Sequence, residues 1–438
     1  MVRLQVLRDR LRLSLWLIPA VFALAAAVLA LVLSAVDRAL PSDAGVPFFN
    51  FGGTADGARA MLSTIAQAML TFTGLVFTIT MLVLQLASNQ LSPRVMRTFL
   101  RDRANQVVLG LFVATFVYTL IVLGEVRAPT DGGDGFVPAV SIWVAFALLL
   151  ASVGAFIYYI DHMAHAIRAS TVIASIWAET AAAIDRLYPE RIGHEPREPI
   201  ALPDTAGPAV VLAASAAGVL VAVDEDQLMT SATKGDRSLE LVPAVGDFVT
   251  EGSPLARLWG SWDRDAADEV RAAIGLETER TLDQDAAFGV RQLVDIATRA
   301  LSPGTNDPTT AVQALDRIHD LLRRLATREF PSPVRTIDGR ARLLLHRPGW
   351  DDYVRLGLDE IRLASDRQLQ VTRRLYAVLD DLAEVAPPER QAIVRAERTA
   401  LDGVVERSFG DPADRDLARE PSARGHALAA WRERGPTP

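Results

Sequence analysis

Cysteine is absent from all 438 residues, and lysine occurs once, at Lys234. The first absence excludes disulfides, thiolate zinc sites, iron–sulfur clusters and cysteine nucleophiles. A third absence is local. Four long apolar stretches, 14–36, 61–87, 106–124 and 138–160, contain no Asp, Glu, Lys, Arg or His. Ionisable groups inside a bilayer mark proton relays and ion-coupled pumps, so their lack argues against both. The net charge of −8 falls mainly on the remainder of the chain and speaks against a broad nucleic-acid surface.

Each stretch is long enough to cross a hydrocarbon core of about 30 Å, which takes about 20 apolar residues as helix. The first follows an arginine-rich start but exceeds the usual signal-peptide core of about 7–15 residues, so it reads as a retained span. Orientation follows from arginine. Arg3, Arg8, Arg10 and Arg12 precede the first span, and Arg94, Arg97, Arg101 and Arg103 lie between the second and third. The other two loops carry only Arg38, Arg59 and Arg127. Four spans in residues 1–167 with both termini cytoplasmic satisfy this alternation. The expected home is a bacterial inner membrane, and the arginines at 94–103 suit an inner mouth or lipid head groups.

The second span is the most polar. Thr64, Gln67, Thr71, Gly74, Thr78, Gln85 and Ser88 recur at three- and four-residue steps, with Met81 filling one interval. That spacing places them on one helical face. Two readings stay open: close packing against another helix, or the wall of a wet pathway lined by hydroxyls and amides. Asp161, His162 and His165 end the fourth span; they read as a polar helix end, with a metal or pH-sensing site as the lesser alternative and no further ligand in view.

After a helix and a Pro-rich connector over 168–204, the period changes. Short runs of small and β-branched residues over 205–262, punctuated by Gly218 and Gly246-Asp247, predict a compact β unit. It resembles the barrel-sandwich folds of lipoyl and biotinyl domains, yet the sole lysine lies outside a matching hairpin, so the resemblance implies a structural module without a swinging cofactor. A helical domain over 263–411 follows, with one short strand at 342–346, and then a loose tail over 412–438. Asp283, Asp285, Arg291, Asp295, Asn306 and Asp307 form a candidate polar cluster whose roles are capping and interhelical pairing, a ligand pocket, or catalysis. Phosphate-loop, zinc-protease and nucleophile-elbow motifs are absent from the sequence. The chain is therefore not expected to be an enzyme or to carry a cofactor.

Several blocks carry a family resemblance: 60–66, 86–94, 101–110 and 288–308. They are similar to the signature blocks of a bacterial "predicted membrane protein" family, domain-of-unknown-function family 2254, over nearly the whole chain to about residue 410. Members usually read Gly-Asn-Gln where this chain has Ala104-Asn105-Gln106, and often carry two adjacent histidines where it has Asp161-His162. The second departure weakens a metal role there. The resemblance implies four spans and a cytoplasmic domain and supplies no activity.

The expected fold is thus an α-helical polytopic membrane protein with a cytoplasmic α+β domain. Its expected role is either a homo-oligomeric channel-like pore or a scaffold or sensor that binds a protein or small ligand. Since the chain has no cysteine, single introduced thiols report topology cleanly. Ser42→Cys is expected to react with an impermeant maleimide added to intact spheroplasts, and Ser92→Cys only after permeabilisation; the opposite pattern would invert the topology.

Overall fold

The computed structural model describes residues 16–39, 54–90, 103–128, 136–166, 168–190, 209–234 and 237–422. It divides into two compact units, one holding four long helices and the other running from Ala169 onward.

In the membrane unit the helices are α1 (Leu17–Ala39), α2 (Ala55–Gln90), α3 (Arg103–Glu125) and α4 (Ala139–Ala166). All four are long and apolar enough to cross a bilayer. α2 begins six residues before the expected span, because Thr54 accepts a hydrogen bond from Gly57 N at 3.3 Å and opens the helix early. α1 and α3 pack most closely. A Cβ on Gly110 of α3 would lie 3.1 Å from the Phe22 ring of α1, so a larger residue there would push the pair apart.

α2 joins the bundle through bulkier groups. Phe72 stacks on Phe156 of α4 with centroids 4.8 Å apart. The buried Tyr159 hydroxyl meets Thr80 Oγ1 at 2.8 Å and donates to the Val76 carbonyl at 3.1 Å. Thr115 pairs with Ser152 at 3.1 Å, and Tyr118 donates to the Ser141 carbonyl at 3.1 Å. These bonds join α2, α3 and α4 where lipid offers no alternative partner.

The four-helix unit is also tied at one end by charge. Asp37, in the last turn of α1, accepts from Val140 N and Ser141 N at 3.0 Å each and from the Ser141 hydroxyl at 2.6 Å. A carboxylate at a helix start satisfies amides that otherwise lack partners and matches the helix dipole. Arg38 pairs with Glu125 at 2.6 Å, and Arg59 reaches the Val126 carbonyl at 3.0 Å.

The second unit opens with α5 (Ala169–Leu187) and then carries two sheets. Its strands are β1 (Val210–Ala213), β2 (Gly218–Val223), β3 (Ser238–Leu241), β4 (Phe248–Val249), β5 (Pro254–Trp259), β6 (Ile274–Glu277), β7 (Val334–Ile337) and β8 (Arg340–Leu345). The five-stranded order is β1-β5-β3-β8-β7, with β3 and β8 parallel, and β2 lies between β4 and β6 in the smaller sheet. α6 (Glu225–Lys234) and α7 (Arg264–Ala272) are inserted among the strands. A single core joins both sheets, built from Leu220, Leu228, Leu239, Leu258, Val270 and Leu343.

The sheets therefore continue past the expected boundary at 262. The strand expected at 342–346 lies at 340–345, and it is the second arm of a hairpin whose turn is Asp338 (φ 51°) and Gly339 (φ 71°). Two left-handed residues in succession suit the twist of a tight hairpin, and Asp-Gly tolerates them. Over α8 (Ala286–Ala300), α9 (Pro308–Ala326), α10 (Trp350–Ala364), α11 (Leu369–Val385), α12 (Gln391–Ser408) and α13 (Pro412–Arg419) the chain is helical. α5 packs on α8 and α9, α8 on α10, and α9 on α11. Part of the expected loose tail is thus helix, held where the buried Arg373 donates to the Glu420 carbonyl at 3.1 Å.

Gly289 of α8 sits against Thr180 of α5, where an added Cβ would lie 1.9 Å from the threonine Oγ1. Gly289→Ala is expected to destabilise this unit by about 2 kcal/mol through overpacking, read as a lower melting temperature in detergent. Thr180→Ala in the same chain should restore part of the loss.

Candidate functional site

The polar stripe of α2 does not face its own bundle. At 100° per residue, the buried Leu62, Ile65, Met69, Val76 and Val83 centre on one side of the helix. Thr64, Gln67, Thr71, Gly74, Thr78 and Gln85 are all exposed and lie about 180° away. Exposed Leu70 and Phe77 flank this stripe on one edge, and Leu75 and Leu82 on the other. From Thr64 to Gln85 the stripe covers about 32 Å, close to the hydrocarbon thickness of about 30 Å.

Two seven-residue series make up the face. Thr64, Thr71, Thr78 and Gln85 form one; Gln67, Gly74, Met81 and Ser88 form the other, with the Ser88 side chain outside the described residues. Such a repeat keeps a face turned toward a like helix when the two coil around each other. Gly74 is open, since an added Cβ meets nothing within 4 Å.

Each hydroxyl on the stripe donates to its own backbone: Thr64 to Ala60 O at 2.8 Å, Thr71 to Gln67 O at 3.0 Å and Thr78 to Gly74 O at 2.9 Å. Among the described residues the Gln67 and Gln85 side chains make no hydrogen bond. Within the chain, hydroxyl bonds between helices are made instead by Thr80, Thr115 and Ser152.

Of the four arginines expected at an inner mouth, Arg103 opens α3 and is exposed, while Arg94, Arg97 and Arg101 lie outside the described residues. The next turn holds what sequence reasoning missed as a site. Asn105 and Gln106 are buried, and Asn105 Oδ1 has no hydrogen-bond partner among the described residues. Their place at the polar edge of an expected span hid this. Asp161 and His165 are exposed, with His165 Nδ1 2.8 Å from the Asp161 carbonyl, while His162 stacks on Tyr158.

The six polar residues of the second unit are spread out. Asp285 caps α8 at its start, while Asn306 and Asp307 follow its end, about 22 Å further along the axis. Asp307 caps α9 through Thr310 N at 3.0 Å, and Asn306, at φ 46°, accepts from Gln368 at 3.0 Å. Arg291 bridges Asp295 at 2.7 Å and Glu360 of α10 at 2.8 Å. Asp283 offers its carbonyl to Arg186 at 2.8 Å.

Of these six, Asp285 lines a cavity between the sheets and helices. Its Oδ1 accepts from Phe288 N at 3.0 Å, and its Oδ2 from Arg280 Nε and Nη2 at 2.9 and 2.7 Å. Gly246, at φ 100°, lets the backbone pass over this pair, where a Cβ would lie 2.6 Å from both partners. Burial raises the Asp285 carboxyl above its ordinary value, against the opposing pull of Arg280 and the Phe288 amide.

The cavity holds about 140 Å³ between the sheets and helices, with Val223, Leu241, Gln284 and Arg347 in its wall. Tyr188 and Tyr353 meet there, hydroxyl to hydroxyl, at 2.9 Å. Burial raises the pKa of both phenols, so they stay neutral donors. A larger recess of about 420 Å³ adjoins it through Leu187, Glu225 and Arg347. Glu225 bridges Arg335 at 3.0 Å and also Arg347. Tyr188 and Tyr353 lie 165 positions apart, so no sequence signal pairs them.

Among the described residues no three His, Asp or Glu side chains gather as a group that could hold a metal.

A sequence model of a family described as "Predicted membrane protein (DUF2254)" matches residues 12–381. The chain is 36% identical over 383 residues to the uncharacterized protein Rv1290c of Mycobacterium tuberculosis, a match that covers 85% of this chain and 73% of the relative. The uncharacterized protein Mb1321c of Mycobacterium bovis matches with the same figures. No solved structure matches the chain.

Because its folded carboxyl sits above its unfolded one, ionised Asp285 opposes folding. The stability linked to this group is fully present below the unfolded value near 3.8 and is lost as pH rises through the raised value. Arg280→Met removes the compensating cation and should lower stability by about 2 kcal/mol at neutral pH, after allowance for the arginine's partial exposure. The deficit should shrink on acidification, when Asp285 is neutral. Melting curves at acid and neutral pH check this, and a pH-independent deficit would contradict it.

Proposed function

The chain belongs to this family of predicted membrane proteins, and from that membership and its four apolar helices we propose a homo-oligomeric, channel-like pore of the bacterial inner membrane. α2 faces the axis, and the soluble unit, on the cytoplasmic side with both termini, assembles or gates the pore. The single observation behind this reading is the direction of the α2 stripe. A side-chain amide left in hydrocarbon without a partner costs roughly 2–7 kcal/mol. Gln67 and Gln85 point away from their own bundle, so lipid would leave both amides bare. A second copy, or water held between copies, would satisfy them. The seven-residue repeat supports like helices gathering around an axis that this face lines, and a Cβ on Gly74 would meet nothing within 4 Å.

Arginine placement supports the orientation. The β strands fit a structural module of barrel-sandwich type without a swinging cofactor, since Lys234 lies in α6 and pairs with Glu269 at 3.2 Å. In this reading Arg103 and its neighbours contact lipid head groups at the inner mouth.

A second reading is favoured by the tyrosine-lined cavity: a scaffold or sensor whose soluble unit binds a partner protein or small ligand. Flux decides between the two. Purified protein in sealed liposomes is expected to pass small ions, and Gln67→Leu with Gln85→Leu to abolish that passage while four-span insertion persists. No flux across several salts would sink the pore and leave the cavity as the place to seek a ligand.

A further inference from the structure

We propose that the α2 pathway selects monovalent cations over anions. This rests on the pore reading above and adds a charge class to it. The reasoning starts from where the hydroxyl hydrogens go. Thr64, Thr71 and Thr78 each donate to the carbonyl four residues earlier, at 2.8, 3.0 and 2.9 Å. A hydroxyl has one hydrogen and two lone pairs. With the hydrogen committed to the backbone, each of these threonines offers only lone pairs outward.

The three threonines are seven residues apart, hence about 10.5 Å along the helix, and they sit on the exposed side. In a closed symmetric assembly each becomes a ring of oxygens, one from every copy. Rings of uncharged acceptors replace the water around a cation and offer nothing to an anion. Among the described residues from Thr64 to Gln85, the side-chain donors left on this face are the Gln67 and Gln85 amides, one near each end. Between them Gly74 leaves bare backbone.

The absence of carboxylates narrows the choice further. A divalent cation is held through carboxylate oxygens, and the stripe has none. Neutral oxygens suffice for a monovalent ion that must also leave. The arginines near the inner end would raise the local anion concentration, so selectivity at the threonine rings and attraction at the mouth oppose each other, and a measurement separates them.

The full chain in sealed liposomes under a potassium chloride gradient provides the test. The reversal potential is expected on the potassium side. Thr71→Val keeps the side-chain shape and removes the oxygen, so it should lower the potassium-to-chloride permeability ratio by about fivefold, the scale of one net contact. Thr71→Ser should keep the ratio. Flux with a reversal potential on the chloride side would overturn cation selection while leaving the pore intact, as would a Thr71→Val chain indistinguishable from the parent. Absence of any flux would overturn the pore and this proposal together.

Discussion

Hydrocarbon offers no hydrogen-bond partner, and apart from the buried Ser34 Oγ and Asn105 Oδ1 the described polar groups inside the bundle are arranged around that fact. Backbone amides are satisfied within the helices. Tyr159, Thr80, Thr115, Ser152 and Tyr118 bond across helices. Asp37 closes the start of α4. Thr64, Thr71 and Thr78 turn back on their own carbonyls. Once these are accounted for, the amides of Gln67 and Gln85 stand out on the exposed face of α2. The direction of those two side chains ties the fold to the functional reading.

Much of the membrane unit is legible in the chain because lipid imposes so few solutions. Length and hydropathy alone give four spans, and three- and four-residue steps give the α2 stripe. Which way the stripe turns is not legible, because periodicity defines a face without saying what lies opposite. The residues that fix the rotation, Phe72, Val76 and Thr80, read as ordinary span residues until Phe156 and Tyr159 are brought beside them. Asp37 is equally silent in the sequence, where it stands at the end of a span beside a loop.

The second unit was less legible for a different reason. Its sheets draw strands from residues 210–345, interrupted by helices, and the parallel pair β3 and β8 joins segments about a hundred residues apart. Pattern reading finds short strands singly but not their partners. The Asp338-Gly339 turn is a local hairpin signal with a known mechanism, but the single strand expected at 342–346 leaves it without a first arm. The six polar residues offered as a cluster are separated by the length of α8, since capping residues mark helix ends and helix ends lie far apart. Asp285 gains its distinctive setting from Gly246 and Arg280, which are remote from it or unremarkable in composition.

The Asp37 contact also carries a consequence for how the molecule is made. Its carboxylate is satisfied by amides 103 and 104 positions further along the chain. Ribosomes add about 5–20 residues per second, so the end of α1 waits roughly 5–20 s for the start of α4 to be made. Through that interval α1 holds an unpartnered carboxylate at one end. α4, made later, completes α1, and the order of synthesis sets the order in which these two helices are joined.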